Sequence, residues 1–308
     1  MTTSPYHPGE REVQRRAGVL ARADHAGRAI GSGIKEVAAA FLGLQPMLVL
    51  GAADHDGRVW CSLLTGRPGF TTATGPHSIA ISGGVSEGDP LAEVLGEPGT
   101  NVGTIALDPR TRRRMRLNGA ARPTARGLAV DARQVFSNCP KYLQKRSLEA
   151  FEEARAPGPA HRSAALGAAQ VRVIETADTF FIATVDSRPG AVPPGATSGP
   201  ADASHRGGQP GFVTVASPTR LSWPDYPGNA MFLTLGNLMT EPRAGLLFTD
   251  WTTGDTLQLT GTARTEFGEA GRTMHFELDE VVHTPAASPL RWSAPEYSPA
   301  NPPLPTAA

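Results

Sequence analysis

The stretch "SHRGGQPGF", Ser204 to Phe212, sets a hydroxyl, an imidazole and a guanidinium directly before a glycine-rich turn. That grouping suits an anion such as a phosphate. The guanidinium donates in a fork, and glycines let backbone N–H groups approach closely. Ser204 and His205 do not make a nucleophile–base pair, because adjacent strand residues point to opposite faces. A second run, "WPDYPGNAMFLTLGNLMTEPR" (223–243), holds Gly228-Asn229, Thr234 and Gly236-Asn237, with Met231, Phe232, Leu235 and Leu238 at helical spacing. A Gly-Asn turn opening a helix points free N–H groups at an anion, although the same grammar also serves ordinary turns. Further cations are Arg114 and Arg116, which alternate with Met115 and Leu117, and Lys141 and Arg146 in "NCPKYLQKR". They either complete an anion site or form the solvated face of an edge strand and the charged start of a helix. The eight histidines are scattered without metal-ligand spacing, and Cys139 reads as a buried inert thiol rather than a redox-active one near a cation.

The elements that must carry these residues are mostly strands. Residues 1–40 read as a helical segment. "MLVLGAADHDGRVWCSLLTG" then reads as a hairpin turning at Asp56-Gly57. "SIAIS", "VGTIALD", "RRRMRLNGAARPT" and "GLAVDARQVFS" follow as strands, and "KYLQKRSLEAFEEARA" has helical composition. The second half repeats this plan. Residues 102–124 align without a gap with 244–266, identical at seven of twenty-three positions, and Gly-x-Pro-Gly-Phe occurs at 66–70 and 208–212. This is the signature of a duplicated strand-rich unit, with a linker over 155–174, an irregular surface segment over 187–201 and an extended tail over 286–308. A duplicated unit packs against its twin as a pseudo-dimer, and the cleft between the copies is a natural ligand site.

The copies differ in their chemistry. Ser62-Leu63-Leu64 stands where the second copy has Ser204-His205-Arg206, and Thr256 and Gln258 stand where the first has Arg114 and Arg116. Cations from copy one would thus complete a site built by copy two.

Bulk composition narrows the classes further. Twenty-nine basic and twenty-nine acidic residues cancel, so neither a nucleic-acid nor an anionic-membrane partner is expected. Two cysteines make no disulfide framework, and the polar start has no apolar signal core, so a cytoplasmic location is expected.

Taken as an ordered set, "SHRGGQPGFV", "WPDYPGNAMFLTLGNL", "PRAGLLFTDWTTGDTLQLTG" and "NCPKYLQKR" resemble segments of the pyridoxamine 5'-phosphate oxidase-like family of FMN-binding split barrels, over roughly residues 40–150 and 175–268. The resemblance implies a mainly β fold with flanking helices, in which two split β-barrels in tandem (41–154 and 175–285) form an intramolecular pseudo-dimer. It implies FMN between them. The family's flavin-contacting strand falls on Ser204, His205 and Arg206, and its phosphate turn on Gly228, Asn229 and onward through Met231 to Thr234 and Asn237. Arg114 would reach the flavin from the other barrel, and the Cys-x-Lys segment matches Cys139 to Lys141, with Arg146 beyond. The substrate-phosphate set of true pyridoxamine phosphate oxidases has no counterpart in "TARTEFGEAGRTMHFELDE". The implied function is a flavin-dependent oxidoreductase acting on a small molecule, with one FMN per chain and further homo-oligomerisation open. The alternatives are a flavin carrier or sensor serving a separate reductase, and a haem- or deazaflavin-binding split barrel.

Overall fold

The computed structural model describes residues 4–137, 139–192, 198–269 and 271–304. Asn138, residues 193–197 of the irregular segment and the last four residues of the tail lie outside it. Three short helices open the chain: α1 (Pro8–Arg16), α2 (Leu20–Gly27) and α3 (Glu36–Gly43). The first is fixed at its start by reciprocal capping. The His7 ring accepts from the Gly9 N–H, and the Glu10 carboxylate accepts from the His7 N–H.

Seven strands follow: β1 (Met47–Ala53), β2 (Val59–Thr65), β3 (Thr71–Gly75), β4 (Ser78–Ser82), β5 (Thr100–Asp108), β6 (Arg113–Thr124) and β7 (Gly127–Ser137). They make one antiparallel sheet in the order β2-β1-β5-β6-β7-β4-β3. A connection with β8 (Leu148–Phe151), β9 (His161–Ser163) and α4 (Ala168–Thr176) leads to the second half. That half contains β10 (Thr179–Val185), β11 (Ala201–Gly207), β12 (Thr214–Ser217), β13 (Arg220–Pro224), α5 (Leu233–Leu238), β14 (Arg243–Thr249), β15 (Thr256–Gly268) and β16 (Gly271–Thr284). Its antiparallel sheet runs β11-β10-β14-β15-β16-β13-β12, the same order as the first. The registers also correspond. Gly103 faces Asn118 in the first sheet as Gly245 faces Thr260 in the second, and each long hairpin slips at the following residue.

Three apolar cores explain the continuous hydrophobic runs. Leu48, Leu50 and Ala52 of β1 enter the first half's own core, and Phe180 and Ile182 of β10 enter that of the second. The alternate residues, Met47 and Val49 with Phe181, Ala183 and Val185, meet in a core between the halves. Strands buried on both faces lose the polar alternation of a surface sheet, hence "MLVL" and "TFFIATV". Glycines allow this approach. A Cβ on Gly103 would lie 2.5 Å from the Asp202 backbone, and one on Gly245 would lie 2.5 Å from Trp60 Cα.

Two sequence expectations need correction. The helix predicted in 141–155 does not form. Its Leu148 and Phe151 instead pair as β8 with β17 (Leu290–Trp292), whose Leu290 and Trp292 plug the core between the halves. Burial of those apolar side chains outweighs a helix propensity of tenths of a kcal/mol per residue. The linker and tail are accordingly built into the fold. β9 pairs with β16, and the Ser298 N–H donates to Gln144 Oε1 at 2.8 Å.

Candidate functional site

A cleft opens between the halves where β6 of the first crosses β11 of the second, and about 770 Å³ of it is free of protein atoms, counted out to the mouth. Strand alternation on β6 sends Met115 and Leu117 into the first core and Arg114 and Arg116 to the opposite face. Both arginines therefore reach across the boundary. Arg116 Nη1 donates to Asp202 Oδ1 and Oδ2 at 3.0 and 3.3 Å. Arg114 Nη1 lies 2.7 Å from Nδ1 of His205.

Asp202 organises this floor. Its carboxylate accepts from the Ser204 hydroxyl at 3.1 Å and the Thr234 hydroxyl at 3.3 Å, besides Arg116. It thereby balances the charge of Arg116. Arg114 and Arg206 have no such balance. Among the described residues, Arg114 bonds His205 and Arg206 bonds the His205 carbonyl at 3.2 Å, and the Nε of each is sealed from solvent without a partner. Burial, and then Arg116 and Arg206, hold Arg114 down at about 9, so it is still charged near neutrality. Burial likewise lowers Arg206, against the pull of Asp225. Burial first, and then Arg114, Arg206, Arg116 and Arg146, hold His205 well below the usual histidine range, so it is neutral. Half-buried guanidinium groups without a carboxylate are costly in an empty fold, and an anionic occupant removes that cost. Lys141 adds a further cation at the rim.

The walls are aromatic. Phe212, Tyr226, Phe232 and Tyr142 line the cleft. Tyr142 donates to the Pro227 carbonyl at 2.8 Å, and its ring centroid lies 5.2 Å from that of Tyr226. Three non-glycine residues of the wall, Tyr142, Ala230 and Phe232, hold positive φ angles of 64°, 65° and 58°. Such left-handed conformations cost free energy and collect at ligand clamps.

Of the residues singled out in the sequence, Ser204, His205, Arg206, Gly228, Asn229, Thr234, Arg114 and Lys141 line this one cleft. Met231, Asn237 and Arg146 do not, and each has a structural task. Met231 packs with Tyr6, Ala23 and Phe136 beneath the N-terminal helices, and its carbonyl accepts from Gln14. Asn237 accepts from His7 Nε2 and donates to the Thr184 hydroxyl. Arg146 is paired with Asp178 at 2.7 Å beneath Trp251, both partners buried.

The Gly-Asn turn does not open a helix directly. Asn229 Oδ1 caps the Met231 N–H, and α5 begins four residues later and is only six residues long. Trp223 is also a core residue, edge-on to Phe180 at 5.0 Å, and so is no wall of the cleft. Sequence reading missed Asp202, Tyr142 and Tyr226. Asp202 did carry a signal, a lone carboxylate between alanines on a strand with a buried face.

In the first half, the place of this cleft is taken by a different one. Leu63 replaces His205, and Thr256 and Gln258 replace the two arginines. The half-buried Asp89 carboxylate there accepts from the Ser62 hydroxyl and the Gln258 amide. No basic pair without acids lies there among the described residues.

The fold and cleft together define a mainly β, antiparallel protein of two like sheets with a cation-lined cleft between them. No protein-family description matches the chain, and no curated protein matches it. Among solved structures, Group A Streptococcus HupZ is similar over 37% of this chain and 90% of its own, at 11% identity and a TM-score of 0.27. A histidine-to-alanine variant of HupZ gives 36% and 94% coverage at the same identity and score. Similarity at this level assigns neither family nor function. Among the described residues, no helix is long and apolar enough to cross a membrane, and no cluster of His, Cys, Asp and Glu could hold a metal.

Proposed function

We propose that this chain is a flavoprotein of the split-barrel type, built from a duplicated unit, that holds one FMN in the cleft between its halves. One observation carries the reading. Among the described residues no carboxylate is hydrogen-bonded to Arg114 or Arg206, Asp225 of the lining being bonded to Arg272 instead, and aromatic side chains stand beside them. Arg114, Arg206 and Lys141 would take the phosphate. Tyr142, Tyr226 and Phe232, aromatic residues of the lining, would flank the ring system. The bound flavin would supply hydride and electron transfer. This chain's own groups would bind it, orient it and set the charge around it, so no side-chain nucleophile is needed. The oxidoreductase reading places a small-molecule substrate at the open mouth, with electrons delivered directly or by a separate reductase.

The test is a titration of the ligand-free protein with FMN and with riboflavin, which lacks the phosphate. Two charge-assisted contacts, each contributing roughly 1.5–3 kcal/mol, predict FMN binding at least about 100-fold tighter. Equal affinities, or no flavin binding, would overturn the assignment. Oxygen or NAD(P)H consumption by the loaded protein then separates an enzyme from a carrier.

A further inference from the structure

His205 is the least explained group in the cleft. It is 4% exposed, its ring stands edge-on to Phe181 with centroids 5.8 Å apart, and Nε2 is sealed from solvent with no partner among the described residues. Its other nitrogen is fully specified. Arg114 Nη1 lies 2.7 Å from Nδ1, and a guanidinium has donors only, so Nδ1 must present its lone pair. In a neutral ring the single proton then sits on Nε2. An orphaned buried N–H destabilises a fold by roughly 1–3 kcal/mol, and His205 lines the cleft. No described residue supplies that acceptor; a group entering the cleft would do so once the packing over Nε2 opens.

We propose that His205 is the specificity-determining hydrogen-bond donor of the cleft, locked in the Nε2–H tautomer by Arg114, which acts as a positioning residue. The ligand class follows. It is a phosphate ester that carries an unprotonated acceptor, a carbonyl oxygen or heteroaromatic nitrogen, within reach of the imidazole while its phosphate engages Arg206. The charged groups around the ring agree. Arg114 and Arg116 come from β6, Arg206 from the ring's own strand, and Arg146 from the segment before β8. Each of these four cations opposes protonation of the ring; the carboxylates at the site are Asp202, bonded to Arg116, and Asp225, bonded to Arg272. The lock also excludes a competing role. With the proton on Nε2 and Arg114 on Nδ1, neither nitrogen has a lone pair for a metal, so His205 is not a haem-iron ligand. This inference rests on the ligand-binding reading above for the identity of the acceptor, but the lock itself needs no ligand.

The test has a ligand-free arm and a flavin arm. Long-range ¹H–¹⁵N spectra of the full chain, with His205 assigned by difference from His205→Gln, report tautomer and titration directly. The expected result is an Nε2–H tautomer that stays neutral well below the ordinary histidine midpoint. In Arg114→Met, the Nδ1–H form should become populated. An Nδ1–H tautomer in the unsubstituted protein, or a midpoint near the ordinary value, overturns the lock.

In the flavin arm, His205→Leu should weaken FMN binding about tenfold. His205→Gln, whose amide can place a donor near Nε2, should recover most of that. Equal affinity for both variants and the unsubstituted protein overturns the donor role. If the unsubstituted protein fails to bind FMN while the spectra show the lock, the FMN assignment fails and the tautomer stands. A hemin titration that shifts the haem absorbance and vanishes in His205→Leu overturns the proposal outright.

Discussion

Arg206→Met should make the ligand-free protein more stable, whereas Arg146→Met should damage it severely. Both substitutions remove a guanidinium and keep a flexible apolar stem. They differ in what is left behind. Arg206 has no carboxylate partner, its Nε is sealed without an acceptor, and Arg114 and Arg116 crowd the same cleft. Removing an unsatisfied buried donor relieves roughly 1–3 kcal/mol, part of which is offset by lost packing. A net gain of about 1 kcal/mol corresponds to a rise of roughly 1.5 °C in Tm for a chain of 308 residues.

Arg146→Met does the opposite. It strands Asp178, which is 4% exposed and loses its 2.7 Å partner, at a cost of about 3–5 kcal/mol. Urea melts of the two variants in phosphate-free buffer read the difference directly, since inorganic phosphate would itself fill the cleft. FMN titration should then rank them the other way. Arg206→Met should lose at least tenfold in affinity, while whatever Arg146→Met protein remains folded should keep its binding. Equal destabilisation by both substitutions would refute the view that the cleft cations are held unpaired for a ligand.

Other perturbations probe the scaffold. Gly245→Ala puts a methyl group 2.5 Å from Trp60 Cα between the halves, and should cost about 1–3 kcal/mol in a urea melt without altering the tautomer of His205. Glu10, buried where α1 meets α5, has its carboxyl pushed up to about 8, chiefly by burial and against the His7 N–H bond. A carboxyl raised in the folded state contributes fully below its ordinary 4.5, and that contribution is lost as pH rises through about 8. Glu10→Gln should therefore melt above the unsubstituted protein at pH 9 and close to it at pH 4, as followed by circular dichroism.

Much of the fold was legible because its signals are local. The Asp56-Gly57 turn and the double-sided apolar runs predict strands by turn chemistry and burial alone, and the structure holds Gly57 at a φ of 75°. The repeated segments were equally local signals, and the structure holds two antiparallel sheets of one strand order. Within the cleft, Ser204, His205, Arg206 and Arg114 were readable as chemistry. The partners that give them their state were not. Arg206 and Arg146 look alike in a sequence. One faces an open cleft, while the other is neutralised by an aspartate 32 positions away. Asn237 looked like a phosphate ligand until the N-terminal helices claimed it through His7.

By itself, then, the sequence determined a mainly β chain of two like halves, with a surplus of cations and glycines in particular loops and strands. Propensity, alternation and turn geometry depend on near neighbours, so they survive in one dimension. The tertiary structure decided which charges are compensated. Coulombic balance and burial are set by residues that meet across a boundary, as Arg114 meets His205 over 91 positions of chain. That crossing turned a list of polar residues into a cleft where Arg116 meets Asp202, Arg114 meets His205, and the histidine is held neutral.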